Sequence, residues 1–371
     1  MNAVNIRHPG TVLTVNLDAI VANWRMLAAQ TAPSECSAVV KANGYGLGAH
    51  KVTAALYSAG CRRFFVATID EAISLRNSVG GNFEIYVFEG FMSGCAEEEF
   101  DTHRLIPVLN TPDEIRRWSA HTSGNTSRRA IVAIDTGMNR LGLTPRESLL
   151  IADDPSLFGG IKVDYIMSHL ACADNPSHPM NSQQRILFDE LRAKLPPTKA
   201  SLANSGGIFL GKEYHYDLTR PGAAIYGITE GCGAPRTMKQ VVGVKAKILQ
   251  VRVVDTESTV GYGATKSVPA NSRLATVAAG YADGYLRSLS NCGYGYIDNV
   301  KVPVVGRISM DLTVFDISAI PAEKIAPGDH IDLICSQLTV DDVANAANTN
   351  SYEILTSLGI RDGRHYIGEA A

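Results

Sequence analysis

The sequence predicts an α/β protein, a (β/α)8 barrel of the TIM type followed by a mostly β C-terminal domain. Three observations carry that prediction. Eight short runs rich in β-branched and aromatic residues lie between residues 37 and 220, segments with helical spacing separate them, and after about residue 240 the rhythm changes to longer β-type runs. Parallel neighbours in a sheet need a crossover, and a closed ring leaves no exposed edge, so sustained alternation reads as a barrel. At 371 residues the chain has room for both parts, because a domain takes roughly 100–200 residues. The expected domains are residues 1–235 and 236–371.

A first helix precedes the barrel strands, with Leu17, Ile20, Val21, Trp24 and Leu27 on one face and Asp18 near its start. The expected barrel strands are SAVVK (37–41), RFFVAT (63–68), FEIYVF (83–88), RLIPVL (104–109), AIVAID (130–135), IKVDYIMS (161–168), TKASLA (198–203) and YDLTR (216–220). Between them lie helical segments such as AHKVTAALYSAG, with Gly60 as its stop, and SQQRILFDELRAKL, which ends before Pro196. Gly231, Gly233 and Pro235 interrupt both rhythms and mark the boundary. The β-type runs beyond it are VVGVKAKILQVRVVD, RLATVAAGYADG, VKVPVVGRIS, TVFDIS and HIDLIC, with one convincing helix, VDDVANAAN. The first ~14 residues, which enter the run TVLTVNL, can pair with either domain.

Composition narrows the function. Hydrophobic residues make up 45% and charged residues 19%, enough apolar material for a large core and too little charge for disorder. Lys+Arg number 34 against Asp+Glu 37, a net charge of −3, with no basic block to hold nucleic acid or an anionic membrane. The seven cysteines are scattered, with no CxxC pair, which argues against a disulfide framework and a zinc site and for free thiols in a reducing compartment. No secretory leader and no bilayer-length apolar segment is evident, so the expected location is the cytoplasm and the expected partner a small molecule or another protein.

In such a barrel the working groups gather at the C-terminal ends of the strands. The first end is VVKANGYGLGAH, where Lys41 closes an apolar strand ahead of Tyr45. A lysine deprived of water there favours its neutral, nucleophilic amine, although a lone strand-end lysine is better explained by snorkelling to solvent. The fifth end, DTGMNRLG, offers Arg140, and the sixth, SHLACAD, offers His169. Together they suit a carboxylate and a proton relay; singly, a surface ion pair and a satisfied core histidine serve as well. The seventh and eighth ends, LANSGG and LTRPGAAIYG, place Ser205, Gly206, Gly222 and Ala223 where such barrels bind phosphate. There is no Walker lysine motif and no GxGxxG after a strand. A strand-end lysine sharing one mouth with a phosphate cradle suggests pyridoxal 5′-phosphate, whose aldehyde condenses with lysine.

AVVKANGYGLGAH, IDTGMNRLGL, MSHLACAD, LANSGG, TRPGAAIYG, VGYGATKSV, AAGYADGY, VGRISMDLTVFD and SYEILTSL occur in the order and approximate spacing of the alanine racemase family, the fold type III pyridoxal phosphate enzymes, which the chain resembles over nearly its whole length. The resemblance implies interconversion of L- and D-alanine by two bases acting on a pyridoxal phosphate aldimine in a homodimer with shared active sites. Lys41 would carry the cofactor and act as one base, and Tyr262, lent by the partner copy, would be the other. Arg220 would face the pyridine nitrogen, and Tyr45, Ser205, Gly222, Ala223 and Tyr352 would hold the phosphate, with Asn204 beside them. His169 would hydrogen-bond Arg220 and help tune Tyr262, Arg140 would contact the cofactor oxygen and the substrate carboxylate, and Met310 would offer its backbone N–H from the neighbouring chain.

That arrangement is chemically coherent. Inverting Cα requires a base on each side, an amine and a phenol in complementary protonation states. A tyrosine with an ordinary pKa of about 10 needs positive charge nearby to ionise at neutral pH. By itself, Tyr262 reads better as a tyrosine packed in a β-domain turn. An arginine opposite the ring nitrogen keeps its proton, leaving a weaker electron sink and fewer side reactions. Two positions depart from the family pattern: Ala133 stands where many members carry a lysine, often carbamylated, that steadies the arginine, and Gly44 where relatives often have alanine. Competing readings are a broader racemase that accepts serine, a decarboxylase of basic amino acids, and a non-catalytic cofactor carrier, usually a barrel alone.

Overall fold

The computed structural model describes residues 8–90, 97–120, 128–230, 232–234, 237–359 and 361–369. The chain divides into two units, one spanning Ile20–Lys239 and the other joining the segment before Ile20 to Gln240–Glu369. Of the boundary residues named from sequence, Gly231 and Pro235 lie outside the described residues.

Strand β1 (Thr11–Asn16) and the helix Leu17–Thr31 come first, then β2 (Glu35–Cys36), β3 (Ala38–Val39), β4 (Arg63–Val66), β5 (Glu84–Val87), β6 (Leu105–Leu109), β7 (Arg128–Ala133), β8 (Ile161–Met167), β9 (Lys199–Ser201) and β10 (Leu218–Thr219). From β3 to β9 the strands form one parallel sheet in chain order. Every residue of β6 is buried, as expected of a strand with a packed interior on one face and helices on the other. The ring closes through β10, which pairs in parallel with β2. On that side the N–H groups of Ser37 and Val39 donate to Thr219 and Pro221 at 3.0 and 2.9 Å; on the other, those of Asp217 and Arg220 donate to Ala200 and Ala203 at 3.0 and 2.9 Å. All eight expected strands are therefore present, the first, seventh and eighth of them shorter than expected.

The helices form where capping and amphipathicity favour them. Thr68 caps Ile69–Ser78 and Thr144 caps Pro145–Asp153 in a full capping box with Glu147. The expected segments appear as Ala49–Ser58 and Met180–Arg192. Asn23, fully buried, fixes the first helix by donating to the carbonyls of Ile225 and Lys239 at 3.1 and 2.8 Å.

The second unit is built on β11 (Val242–Val253), a 12-residue strand that serves two sheets. Its first half lies between β1 and a later strand; beyond a bulge at Ile248/Gln250 its second half pairs with another. The remaining strands are β12 (Ser258–Thr259), β13 (Ser267–Val268), β14 (Arg273–Val277), β15 (Tyr294–Ile297), β16 (Val300–Pro303), β17 (Thr313–Asp316), β18 (His330–Ile334) and β19 (Gly363–Ile367). β1 is sandwiched between β11 and β19, which settles the partner of the TVLTVNL run. The sequence reading of one helix here is corrected: besides Val340–Ala347 there is Ser351–Ser357, whose cap Asn350 accepts from Glu353 N–H at 3.0 Å. Its seven residues are too few for a strong periodic signal.

Candidate functional site

The C-terminal ends of β3 to β8 surround a cavity of about 260 Å³ whose lining includes Lys41, Phe88, Ala133, Arg140, Met167 and His169. Lys41 stands two residues beyond the end of β3 and its Nζ lies 5.9 Å from the centre of the Phe88 ring. Burial, and then the charge of Arg140, hold its pKa below the ordinary lysine value, against the opposing pull of Glu71 and Glu89. The amine is thus biased toward its neutral form.

His169 is set by the ends of two strands. The Thr136 and Ser168 hydroxyls hydrogen-bond at 2.7 Å, and buried Gln184 donates to the His169 carbonyl at 2.9 Å. Burial first, then the charges of Arg220, Arg140 and Lys41, push the imidazole down to about 3, so it is neutral at physiological pH. Arg140 is exposed and has no hydrogen-bond or ion-pair partner among the described residues. Its loop is shaped by Asp135, whose carboxylate accepts from Gly137 and Met138 N–H at 2.8 Å each. Buried Ala133 offers this arginine no polar group.

Arg220 leaves β10 into the interior, where its Nη1 donates to Ser201 Oγ and its Nη2 to the carbonyls of Ser168 and Leu202, at 2.6 and 3.3 Å. Burial draws its pKa down to about 10, so the guanidinium stays charged. Its Nε has no partner, and no hydrogen bond joins it to His169, whose coupling to it is electrostatic. Ser168 and Ser201, the residues that orient Arg220, escaped the sequence reading; Ser168 follows β8 and Ser201 ends β9, so their position at strand ends was the signal available.

Beside this group lies a cradle. Ser205 Oγ accepts from Gly222 N–H at 3.0 Å and Ala224 N–H at 3.2 Å, so two backbone donors converge on one oxygen position. A Cβ at Gly222 would collide with the Tyr45 hydroxyl. Tyr45 stacks on Tyr226, ring centres 4.5 Å apart, and Tyr226 donates to the Val39 carbonyl at 3.2 Å. Ala223 opens the turn that follows Gly222. Asn204 is used within the fold: it caps Ser205–Leu210, accepting from Gly207 N–H at 2.9 Å.

Tyr262, Met310 and Tyr352 belong to the second unit. Tyr262 stands in a tight turn between Gly261 and Gly263, both at positive φ, and is 73% exposed. Met310 is 53% exposed, while its carbonyl accepts from Ala282 N–H at 3.0 Å. Tyr352 lies in the first turn of Ser351–Ser357.

These residues fit pyridoxal phosphate. A buried, charged guanidinium with an unused N–H suits a ring-nitrogen acceptor, converging N–H donors suit a phosphate, and a water-poor amine suits an aldehyde.

Comparison with known proteins agrees. A sequence profile of the alanine racemase N-terminal domain matches residues 15–230, and one of the alanine racemase C-terminal domain matches residues 241–366. The chain is 49% identical over 360 residues to the alanine racemase of Rhodospirillum rubrum, covering 96% of each, and 47% identical to the catabolic alanine racemase of Mesorhizobium japonicum, covering 97% of this chain and 94% of that one. It superposes with a TM-score of 0.93 on the alanine racemase of Bartonella henselae, solved with covalently bound pyridoxal phosphate, at 43% identity and covering 97% of this chain and all of that one. The chain belongs to the alanine racemase family.

Proposed function

We propose that the chain is a pyridoxal phosphate-dependent isomerase that interconverts L- and D-alanine, using Lys41 and Tyr262 as its two bases. The observation that carries the reading is the placement of Lys41 in a strand-end cavity that favours its neutral amine, next to Arg140 and His169 and in the same barrel mouth as a cradle of converging N–H groups. Pyridoxal phosphate, when bound, supplies the electron sink for the pair left on Cα as its proton departs.

Lys41 would hold the cofactor, Arg220 would serve its ring nitrogen, and Tyr45, Ser205, Gly222, Ala223 and Tyr352 would hold its phosphate. Asn204 serves by keeping the turn that carries Ser205 in shape. Lys41 Nζ takes a proton from one side of Cα and Tyr262 Oη delivers one to the other; the reverse reaction exchanges these roles. Arg140 binds the substrate carboxylate and Met310 N–H adds a second donor to it. Neutral His169 acts as a fixed dipole beside Arg220.

The working form is a homodimer whose partner lends Tyr262 and Met310. Their large exposure supports this, since an aromatic and a thioether left in water gain from a covering surface. A barrel-only carrier is disfavoured by the C-terminal profile match. We assign the protein to the cytoplasm, a location supported by six free cysteines among the described residues, where no helix is long and apolar enough to cross a membrane.

Incubation with L-alanine in D2O tests the reading. It requires exchange at Cα and appearance of D-alanine, both abolished by Lys41→Ala; retained racemisation in that variant would refute it. Chiral analysis with serine tests the broader reading, because one added hydroxyl changes pocket binding only modestly.

A further inference from the structure

The backbone immediately after Lys41 adopts a conformation that L-residues avoid. Ala42, Asn43, Gly44 and Tyr45 all have φ between 51° and 63°, a complete left-handed turn in which only one residue is glycine. Such a turn crowds each Cβ against its own carbonyl and persists only where surrounding contacts fix it. Its own hydrogen bonds supply part of the hold, with Gly44 N–H donating to Val40 and Gly46 N–H to Ala42 at 2.8 and 2.7 Å.

A further hold comes from another element. Glu71 occupies the third position of the helix Ile69–Ser78, and its own N–H donates to the Thr68 cap at 3.2 Å. In a capping box the glutamate would bend back to the N–H of its cap residue. Here it reaches outward instead: Oε1 accepts from Ala42 N–H at 2.6 Å and Oε2 from Ala67 N–H at 2.9 Å. Both carboxylate oxygens are committed, one to the peptide that joins Lys41 to Ala42 and the other to the residue following β4. The carboxylate also sits in the first turn of its helix, where a negative charge is favoured.

From this geometry we infer that Glu71 is a positioning residue for Lys41, a clamp that locks the left-handed turn so that the lysine enters the cavity and Tyr45 reaches the Gly222 cradle. Removing the carboxylate frees the Ala42 amide and lets residues 42–45 relax toward right-handed or extended backbone, swinging the amine out of register with the cradle. A glutamine is an incomplete substitute, because its NH2 group would face one of the two N–H donors. The inference rests on the proposed role of Lys41.

The test uses the full chain and compares wild type with Glu71→Ala, Glu71→Gln and a control, Thr68→Ala, which weakens the same helix start while keeping the carboxylate. Hydrogen exchange reads the Ala42 amide directly. Addition of pyridoxal phosphate to the cofactor-stripped protein, borohydride reduction at timed intervals and peptide mass analysis read the rate at which Lys41 is captured. Loss of a hydrogen bond to a charged acceptor corresponds to a slowing of about 10- to 100-fold in Glu71→Ala, with Glu71→Gln between it and wild type. Faster Ala42 exchange should accompany it, kcat should fall while KM for alanine stays within about twofold, and Thr68→Ala should capture at the wild-type rate. Wild-type capture and wild-type exchange in the Glu71 variants would overturn the inference alone. Equal slowing in Thr68→Ala would also overturn it, leaving helix integrity as the cause. Capture at a lysine other than Lys41 in wild type would overturn the functional reading, and this inference with it.

Discussion

Arg220 Nη2 donates to the carbonyl of Ser168 at 2.6 Å, tying the end of β10 to the end of β8 one residue before His169. With Ser201 Oγ and the Leu202 carbonyl as further acceptors, the guanidinium fastens three neighbouring strand ends with donors in a fixed fork. Arg220→Lys keeps the charge and loses the fork. A buried acceptor left unpaired costs about 1–3 kcal/mol, so the urea midpoint of the cofactor-free protein should fall by an amount in that range with little change in slope. An unchanged midpoint would show that the fork adds nothing to stability.

His169 makes stability depend on pH in a definite direction. Its ordinary value of 6.5 is lowered to about 3 in the folded state, first by burial and then by the surrounding positive charge. Between those two values the unfolded chain binds a proton that the native imidazole refuses. This contribution is therefore complete above about pH 6.5 and is lost as the pH falls toward 3. Urea melts at pH 7 and pH 5 should show a larger loss in wild type than in His169→Gln, and equal losses would contradict the assignment.

Gly222 is a glycine for reasons of space. Its φ of −128° is open to any residue, yet a Cβ would overlap the Tyr45 hydroxyl. Gly222→Ala should destabilise the cofactor-free protein by about 1–3 kcal/mol, the usual range for overpacking. Adding Tyr45→Phe removes the colliding oxygen and should recover most of that loss in a thermal melt. If the double variant melts no higher than Gly222→Ala, the collision is not the cause.

Arg140 should behave oppositely to Arg220. It is exposed and has no hydrogen-bond or ion-pair partner among the described residues, so Arg140→Ala should change stability by no more than about 0.5 kcal/mol. If it binds the substrate carboxylate, KM for alanine should rise about tenfold or more, the equivalent of one charge-assisted hydrogen bond. Steady-state kinetics and a thermal melt on the same preparation separate the two effects.

The barrel was legible because its strands are apolar on both faces: VVK, FFV, LIPVL and IVA stand out as short hydrophobic runs with no need of periodicity. Tyr294–Ile297 escaped notice although Asp298 and Asn299 form a two-residue turn into Val300–Pro303, since its alternation is carried by glycine and tyrosine. The helix holding Tyr352 was missed for its length, yet Asn350 and Glu353 carried a readable cap signal. Among the candidate groups, Lys41, Arg140 and His169 were picked out because each closes or follows a strand, while Arg220 came in only with the resemblance to the alanine racemase family. Ser168, Ser201 and Glu71 were passed over because their importance lies in which distant group they meet, the Arg220 guanidinium for the two serines and the Ala42 and Ala67 amides for Glu71.

Sequence alone determined the alternation of strand and helix, the order of the strand ends and the residue types available at each, because hydrophobic pattern and chain connectivity are local properties. Tertiary structure decided what those residues became. Burial among fixed charges made His169 a neutral group, a contact between chain positions 29 apart tied the backbone beside Lys41 to a helix start, and three strand ends converging on Arg220 left one of its N–H groups unused. Electrostatic environment and hydrogen-bond geometry depend on distances through space, which the linear order of residues does not contain.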